Sequence, residues 1–259
     1  MTEHPSSLEF NEKEVVVIVK AAPRVGDKHG ETVCCAGIDR QQKWVRLFPV
    51  SFRMLDAPQQ FGRWDLVKFR SRKPKDDNRV ESVRVEQNTL EIIGNLKKPE
   101  RGRFLAGSIV SSLEKERSKD RSLALLKVEV QDFLIERKQQ DKIEMERAQF
   151  KKLREQGDMF QKSVIPYKPC PFVFKYKYTC EDGHREGSCQ DWEIEATFFR
   201  WANMYGEKEA LIHMKERFGT EYPQQGMLLA MGTHSRFPDR WLINGVVRLD
   251  EVRQGELFR

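Results

Sequence analysis

No apolar run in the 259 residues approaches the roughly 18 that a membrane-spanning helix requires, so the reading is of a chain without a membrane partner. The opening stretch, 1–14, is polar and acidic, with no apolar segment behind a basic one; this predicts no secretory leader and a soluble, cytoplasmic protein. Cysteine is scarce and odd in number, with five in the chain, which weighs against a disulfide framework. Cys34 and Cys35 are adjacent, would point to opposite faces of a strand, and read as small residues of a packed strand. The sequence also lacks a P-loop, a G-x-S-x-G elbow and the Rossmann glycine pattern, which removes three common signatures of nucleotide binding and acyl transfer. Internal repeats and low-complexity segments are missing too. Helical periodicity is nearly absent over 13–85.

Aromatic residues and charge, by contrast, are plentiful. Sixteen Phe, five Trp and five Tyr suffice for one large core or two modest ones, and they argue against disorder. The formal net charge is +6. Between Lys43 and Arg84 there are eleven basic residues against five acidic ones, a local excess of +6 that accounts for the whole. The aromatics Trp44, Phe48, Phe52, Phe61, Trp64 and Phe69 lie within that stretch. Cations for phosphates and rings for bases are what a single-stranded nucleic-acid surface needs. The candidate binding residues are Arg46, Arg53, Arg63, Lys68, Arg70, Arg72 and Lys73. The competing reading puts most of the rings in the core and the cations on a solvated outer face, as the alternation around Trp44, Phe48 and Phe69 suggests.

Short strands are expected at Val15–Val19, Thr32–Ile38, Trp44–Pro49, Trp64–Arg70 and Val80–Val85, with Arg24–Gly30 as a loop, a spacing that suits a small β-barrel. Phe104–Leu113 reads as a short helix. Leu123–Ile135 reads as a late strand pair of the same barrel. The charged run Gln139–Gln156 reads as a helix or helical linker ending at Gly157. Beyond it, Phe172–Tyr178 alternates like a strand, Trp192–Trp201 is a strand or short helix, and Glu207–Phe218 is the clearest helix. Leu228–Gly232 and Trp241–Leu249 read as two final strands. The expected fold class is therefore α+β: a β-barrel domain over 13–137, a helical linker over 138–162 and an α+β domain over 163–259.

Two stretches carry a resemblance. Glu31-Thr32-Val33-Cys34-Cys35-Ala36-Gly37-Ile38 followed by Lys43-Trp44-Val45-Arg46-Leu47-Phe48-Pro49-Val50 resembles the opening of bacterial dual-OB-domain proteins. Cys180, Gly183-His184, Cys189 and Asp191-Trp192-Glu193 are similar to a C-terminal motif of uncharacterised bacterial proteins. The resemblance implies an OB-like barrel and transfers no activity, substrate or catalytic residue. OB-type barrels often bind oligonucleotides, which agrees with the basic, aromatic-rich front half.

The segment from Cys180 to Glu193 is the densest group of ligand-capable side chains. Cys180, His184 and Cys189, around a Gly-containing turn, are candidate zinc ligands, with Cys170, His234 or a carboxylate as the fourth. The other reading is a polar hairpin with two partly buried cysteines. On a strand, Asp191, Glu193 and Glu195 would share a face and could hold Mg²⁺ for phosphodiester hydrolysis, with Lys175, Lys177 or Arg200 on the phosphate. Asp191, Glu193 and the loop residue His234 are thus the candidate catalytic groups of a metal-dependent hydrolase, the alternative to a nucleic-acid-binding protein. His213, in the late helix, reads as structural.

Overall fold

The structure, a computed structural model, describes residues 10–26, 30–157, 167–234 and 237–248. The front half contains β1 (Asn11–Lys20), a small hairpin of β2 (Arg24–Gly26) and β3 (Gly30–Thr32), then β4 (Cys35–Ile38), β5 (Trp44–Phe48), β6 (Asp65–Arg72), β7 (Ser82–Val85) and β8 (Glu91–Asn95), and closes with helix α1 (Arg101–Ala106). Five strands run in the order β1-β4-β5-β7-β6, and β6 pairs back to β1, so the barrel closes. β5 and β7 are parallel; β8 flanks β6. Alternation fills the interior with Val15, Val17, Cys35, Val45, Leu47, Val67, Phe69 and Val85. Gly37 is dictated by close approach, since a Cβ there would lie 2.5 Å from the Val16 carbonyl oxygen on β1.

The rear half comprises β9 (Ile109–Val110), α2 (Leu113–Arg117), β10 (Leu123–Lys127), β11 (Glu129–Arg137), α3 (Gln140–Gly157), β12 (Phe172–Cys180), β13 (Gly183–Cys189), α4 (Trp192–Tyr205), α5 (Glu207–Lys215), β14 (Met227–His234) and β15 (Phe237–Arg248). Its seven strands form one sheet in the order β11-β12-β13-β15-β14-β10-β9. The fold is thus mixed α+β, a closed barrel followed by a helix-backed sheet. No helix among the described residues is long and apolar enough to cross a membrane.

Several expectations are corrected here. The strand pair over 123–137 runs in the second sheet, not in the barrel. Leu123, Ala124, Leu125 and Leu126 are buried in succession, which requires cover on both faces. Leu123 and Leu125 pack with barrel residues, while Ala124 and Leu126 join the core under α4 and α5. The segment 104–113 is not one helix: α1 ends at Ala106, and Ser112 caps a new one by accepting from the Lys115 N–H. Of the two readings of Trp192–Trp201, strand or short helix, the helix holds over Trp192–Tyr205, because Asp191 caps it and Ile194 and Phe198 fall on its buried side.

The two halves are joined along the outer wall of the barrel. Val16, Ile18, Ala36 and Ile38 point outward from β1 and β4 and form one buried cluster with Leu123, Leu125, Leu228, Ala230 and Val247 of the second sheet. A polar network lies beside it. The Arg46 guanidinium, 5% exposed, donates to the Ser122 carbonyl oxygen at 3.0 Å and to its Oγ at 3.1 Å. Ser122 in turn donates from its N–H and Oγ to buried Glu81, at 2.8 and 2.7 Å. The Arg79 guanidinium holds Asp77 through two hydrogen bonds of 2.9 and 2.6 Å and donates to the Thr233 carbonyl oxygen on β14.

Removing one member of a buried charged network leaves its counterpart desolvated, at a cost of roughly 3–5 kcal/mol. Arg46→Met is therefore expected to lower unfolding stability by about that amount in a urea titration, with tryptophan fluorescence and far-UV dichroism changing together. A loss below about 1 kcal/mol, or separate transitions for the two probes, would contradict the network's role. Burial raises the Asp77 carboxyl, but hydrogen bonds from Arg79 and Ser82 outweigh it and hold the group at about 2, below its ordinary 3.8. With the folded value depressed, Asp77 contributes stability at neutral pH that is lost as the pH falls through that interval. Asp77→Asn should flatten the acid limb of the stability profile there; an unchanged limb would refute the assignment.

Candidate nucleic-acid interface

The basic stretch divides into two groups once it is folded. Arg46, Arg53 and Arg63 do not form a surface. Arg53 pairs with Glu31 at 2.9 Å and sits over the Tyr167 ring of the rear half at 5.6 Å. Arg63 donates to Asp191 Oδ2 at 2.8 Å and to the Val246 carbonyl oxygen, so it ties the barrel to α4 and β15. Lys68, Arg70 and Arg72 do share the outer face of β6, opposite the inward Val67 and Phe69. Lys68 meets Glu12 at 2.8 Å and lies across from Glu14 and Glu91 on the flanking strands. Arg70 reaches Glu86 at 3.4 Å.

Arg72 differs from these neighbours. It lies directly across from Arg84 on β7, and Arg84 lies across from Phe48 on β5. On the other side, the guanidinium groups of Arg70 and Arg72 stand 5.1 and 5.4 Å from the ring of Phe10, which is 37% exposed. Phe48, Arg84 and Arg72 thus form a row across β5, β7 and β6, spaced by about 4.8 Å per strand, and the Phe10 ring, just ahead of β1, flanks it on the Arg72 side. Among the described residues, Arg72 and Arg84 have no carboxylate partner. Exposed Lys73 and Lys75 begin the β6–β7 loop beside them. Sequence reasoning misses Phe10 and Arg84, because the pairing of Arg72 with Arg84 depends on register; the alternation of β6 and β7 is the one signal that points to it.

The Cys/His group is not assembled. The hairpin register pairs Cys180 with Gly183, Thr179 with His184 and Phe174 with Cys189. Cys180 and Cys189 therefore share one face, at opposite ends of the hairpin, and His184 lies on the other. His184 Nδ1 is 2.9 Å from Thr179 Oγ1, and Cys189 is buried. Among the described residues, no three His, Cys, Asp or Glu side chains are grouped to hold a metal.

The aligned carboxylates expected at 191–195 are likewise absent, because the segment is helical. Asp191, 2% exposed, accepts from the N–H groups of Glu193 and Val246 at 2.9 and 2.8 Å as well as from Arg63. These three hydrogen bonds serve capping and cross-linking. Glu195 turns inward and accepts from the Tyr167 hydroxyl at 2.5 Å. Glu193 is half exposed and 3.4 Å from Arg63. His234 sits at the exposed end of β14, its ring 5.6 Å from that of Phe237, and His213 packs on Trp201 and Tyr205. Asp191→Ala removes the buried partner of Arg63 and the cap of α4, so a stability loss of about 3–5 kcal/mol is expected in urea unfolding; a loss below about 1 kcal/mol would contradict the linking role.

Residues 11–106, which begin with β1 and end with α1, match the family described as Domain of unknown function (DUF8758). No curated protein matches the chain. Residues 107–259, more than half of the chain, match the family described as Domain of unknown function (DUF8757), and the protein belongs to that family.

Proposed function

We propose that this is a nucleic-acid-binding protein whose front domain is an OB-like barrel, and that it binds on the β6–β7 wall. The strand order β1-β4-β5-β7-β6 with β5 and β7 parallel supports the OB-like reading, as does the resemblance over residues 31–50. OB-type barrels take oligonucleotides on the face of their second and third strands and on two adjoining loops. Here the second and third barrel strands, β4 and β5, turn Ala36, Ile38 and Arg46 into the contact with the rear sheet. That leaves the β6–β7 wall and its loop for a ligand.

One observation carries the reading: Arg72 and Arg84 face each other across adjacent strands, with Phe10 and Phe48 on either side. Like charges directly opposite destabilise a sheet. A phosphate between them relieves that repulsion, and flanking rings offer stacking platforms for bases. Lys73 and Lys75 extend the cationic track along the loop.

The test is a fluorescence-anisotropy titration with a labelled single-stranded oligonucleotide at several salt concentrations. Arg72→Gln with Arg84→Gln should weaken binding and reduce the salt slope by about 1.4, at roughly 0.7 for each neutralised arginine. Phe10→Ala should cost about 1–3 kcal/mol of affinity. Lys68→Gln, already matched by Glu12, should change neither quantity. An unaltered affinity and slope in the double variant would refute the proposal.

A further inference from the structure

A second concave site lies away from the β6–β7 wall. The chain leaving β1 (Ala22, Pro23), strand β2 (Arg24, Val25), helix α3 (Glu146, Phe150), Lys138 and the segment Tyr167–Cys170 enclose a cleft of about 60 Å³ over Glu195 of α4. At about 10–15 Å³ per water-sized group, that is room for about four to six such groups. Its walls are mixed: Ala22, Pro23, Val25, Phe150 and Pro169 are apolar, and Gln149 and Cys170 join the charged groups and Tyr167 on the polar side.

Glu195 is out of place on purely structural grounds. It lies on the buried side of α4 with Ile194 and Phe198 and is only 9% exposed. Tyr167 donates to its Oε2 at 2.5 Å, and among the described residues its Oε1 has no donor. The nearest lysine is already committed, because Lys138 pairs with Glu146 at 2.8 Å. Arg24, also part of the lining, is exposed and forms no ion pair among the described residues. The cleft therefore offers one acceptor at its floor and one cation at its mouth.

We infer that this cleft binds a small zwitterion of the α-amino acid class, with the ammonium on Glu195 and the carboxylate on Arg24. A carboxylate oxygen without a protein donor, on a residue that lines a cleft, favours a ligand N–H, because a charge-assisted hydrogen bond is stronger than a neutral one. The fixed Tyr167 hydroxyl holds the carboxyl for it. Arg24 distinguishes a zwitterion from a simple amine. Burial raises the Glu195 carboxyl, against the hydrogen bond from Tyr167 and the charges of Arg24 and Lys138, while Glu146 adds to the rise. The other titratable neighbours stay protonated near neutral pH, since burial pushes the Cys170 thiol up to about 12 and the Tyr167 hydroxyl higher still. Ammonium binding selects ionised Glu195, so affinity should fall as the pH drops through its titration.

The experiment is isothermal titration of the full chain with glycine, L-alanine, methylammonium and acetate, checked by thermal shift. Glycine and L-alanine should bind at least tenfold more tightly than methylammonium or acetate. Glu195→Gln, which keeps the acceptor for Tyr167, should weaken glycine binding more than tenfold. Arg24→Gln, on the exposed rim and harmless to folding, should abolish the preference for glycine over methylammonium. Absence of binding by all four probes, equal binding of acetate, or glycine affinity unchanged in either variant would overturn the inference. None of these outcomes bears on the β6–β7 wall, whose oligonucleotide binding should be the same in both variants.

Discussion

The structure depends on the burial of one wall of the barrel beneath the second sheet. Val15 to Val19 are buried without a break, because Val15 and Val17 fill the barrel while Val16, Ile18 and Val19 meet Leu123, Leu125, Leu228 and Ala230. The same constraint makes β10 and β14 continuous apolar runs, since each is covered by the barrel on one face and by the core of α4 and α5 on the other. An apolar seam of this kind is non-directional. Register between the halves is supplied by directional contacts at its margins, where Arg46, Arg79 and Arg63 reach Ser122, Thr233 and Asp191.

That division of labour changes the meaning of the basic stretch. A net excess confined to 43–84 looks like one surface, yet three of its arginines hold the two halves together and two further cations, Lys68 and Arg70, meet carboxylates. Of the rest, Arg53 pairs with Glu31, Lys43 lies in the turn before β5, and Arg72, Lys73, Lys75 and Arg84 lie at the far end of β6, in the loop that follows and on β7. On the function proposed above, electrostatic affinity for a polyanion belongs to a smaller area than the sequence suggests.

The sequence revealed most of the elements and the alternation that fills the barrel. Partner choice between elements was harder to read. The unalternating Val15–Val19 and Leu123–Leu126 runs were the available sign of two-sided burial, but a run of that kind does not say which strand covers it. Asp191 followed by Glu193 and Glu195 has the composition of a capped helix start, which outweighed the strand reading of Trp192–Trp201. Spacing alone grouped Cys180, His184 and Cys189; the two-residue turn at Glu181-Asp182 then fixes a register that separates them. The cleft over Glu195 was not legible at all, because it joins residues 22–25, 138–150, 167–170 and 195, which only the tertiary fold brings together.

The central claim is that the covered wall is structural and the β6–β7 wall is the one that meets nucleic acid. Amide hydrogen exchange of the intact protein, with and without a saturating single-stranded oligonucleotide, tests it most directly. Added protection is expected over 70–75 and 82–86, with none over 35–38 and 123–126, where exchange should already be slow. New protection over 35–38 and 123–126, with 70–75 and 82–86 unchanged, would contradict the account.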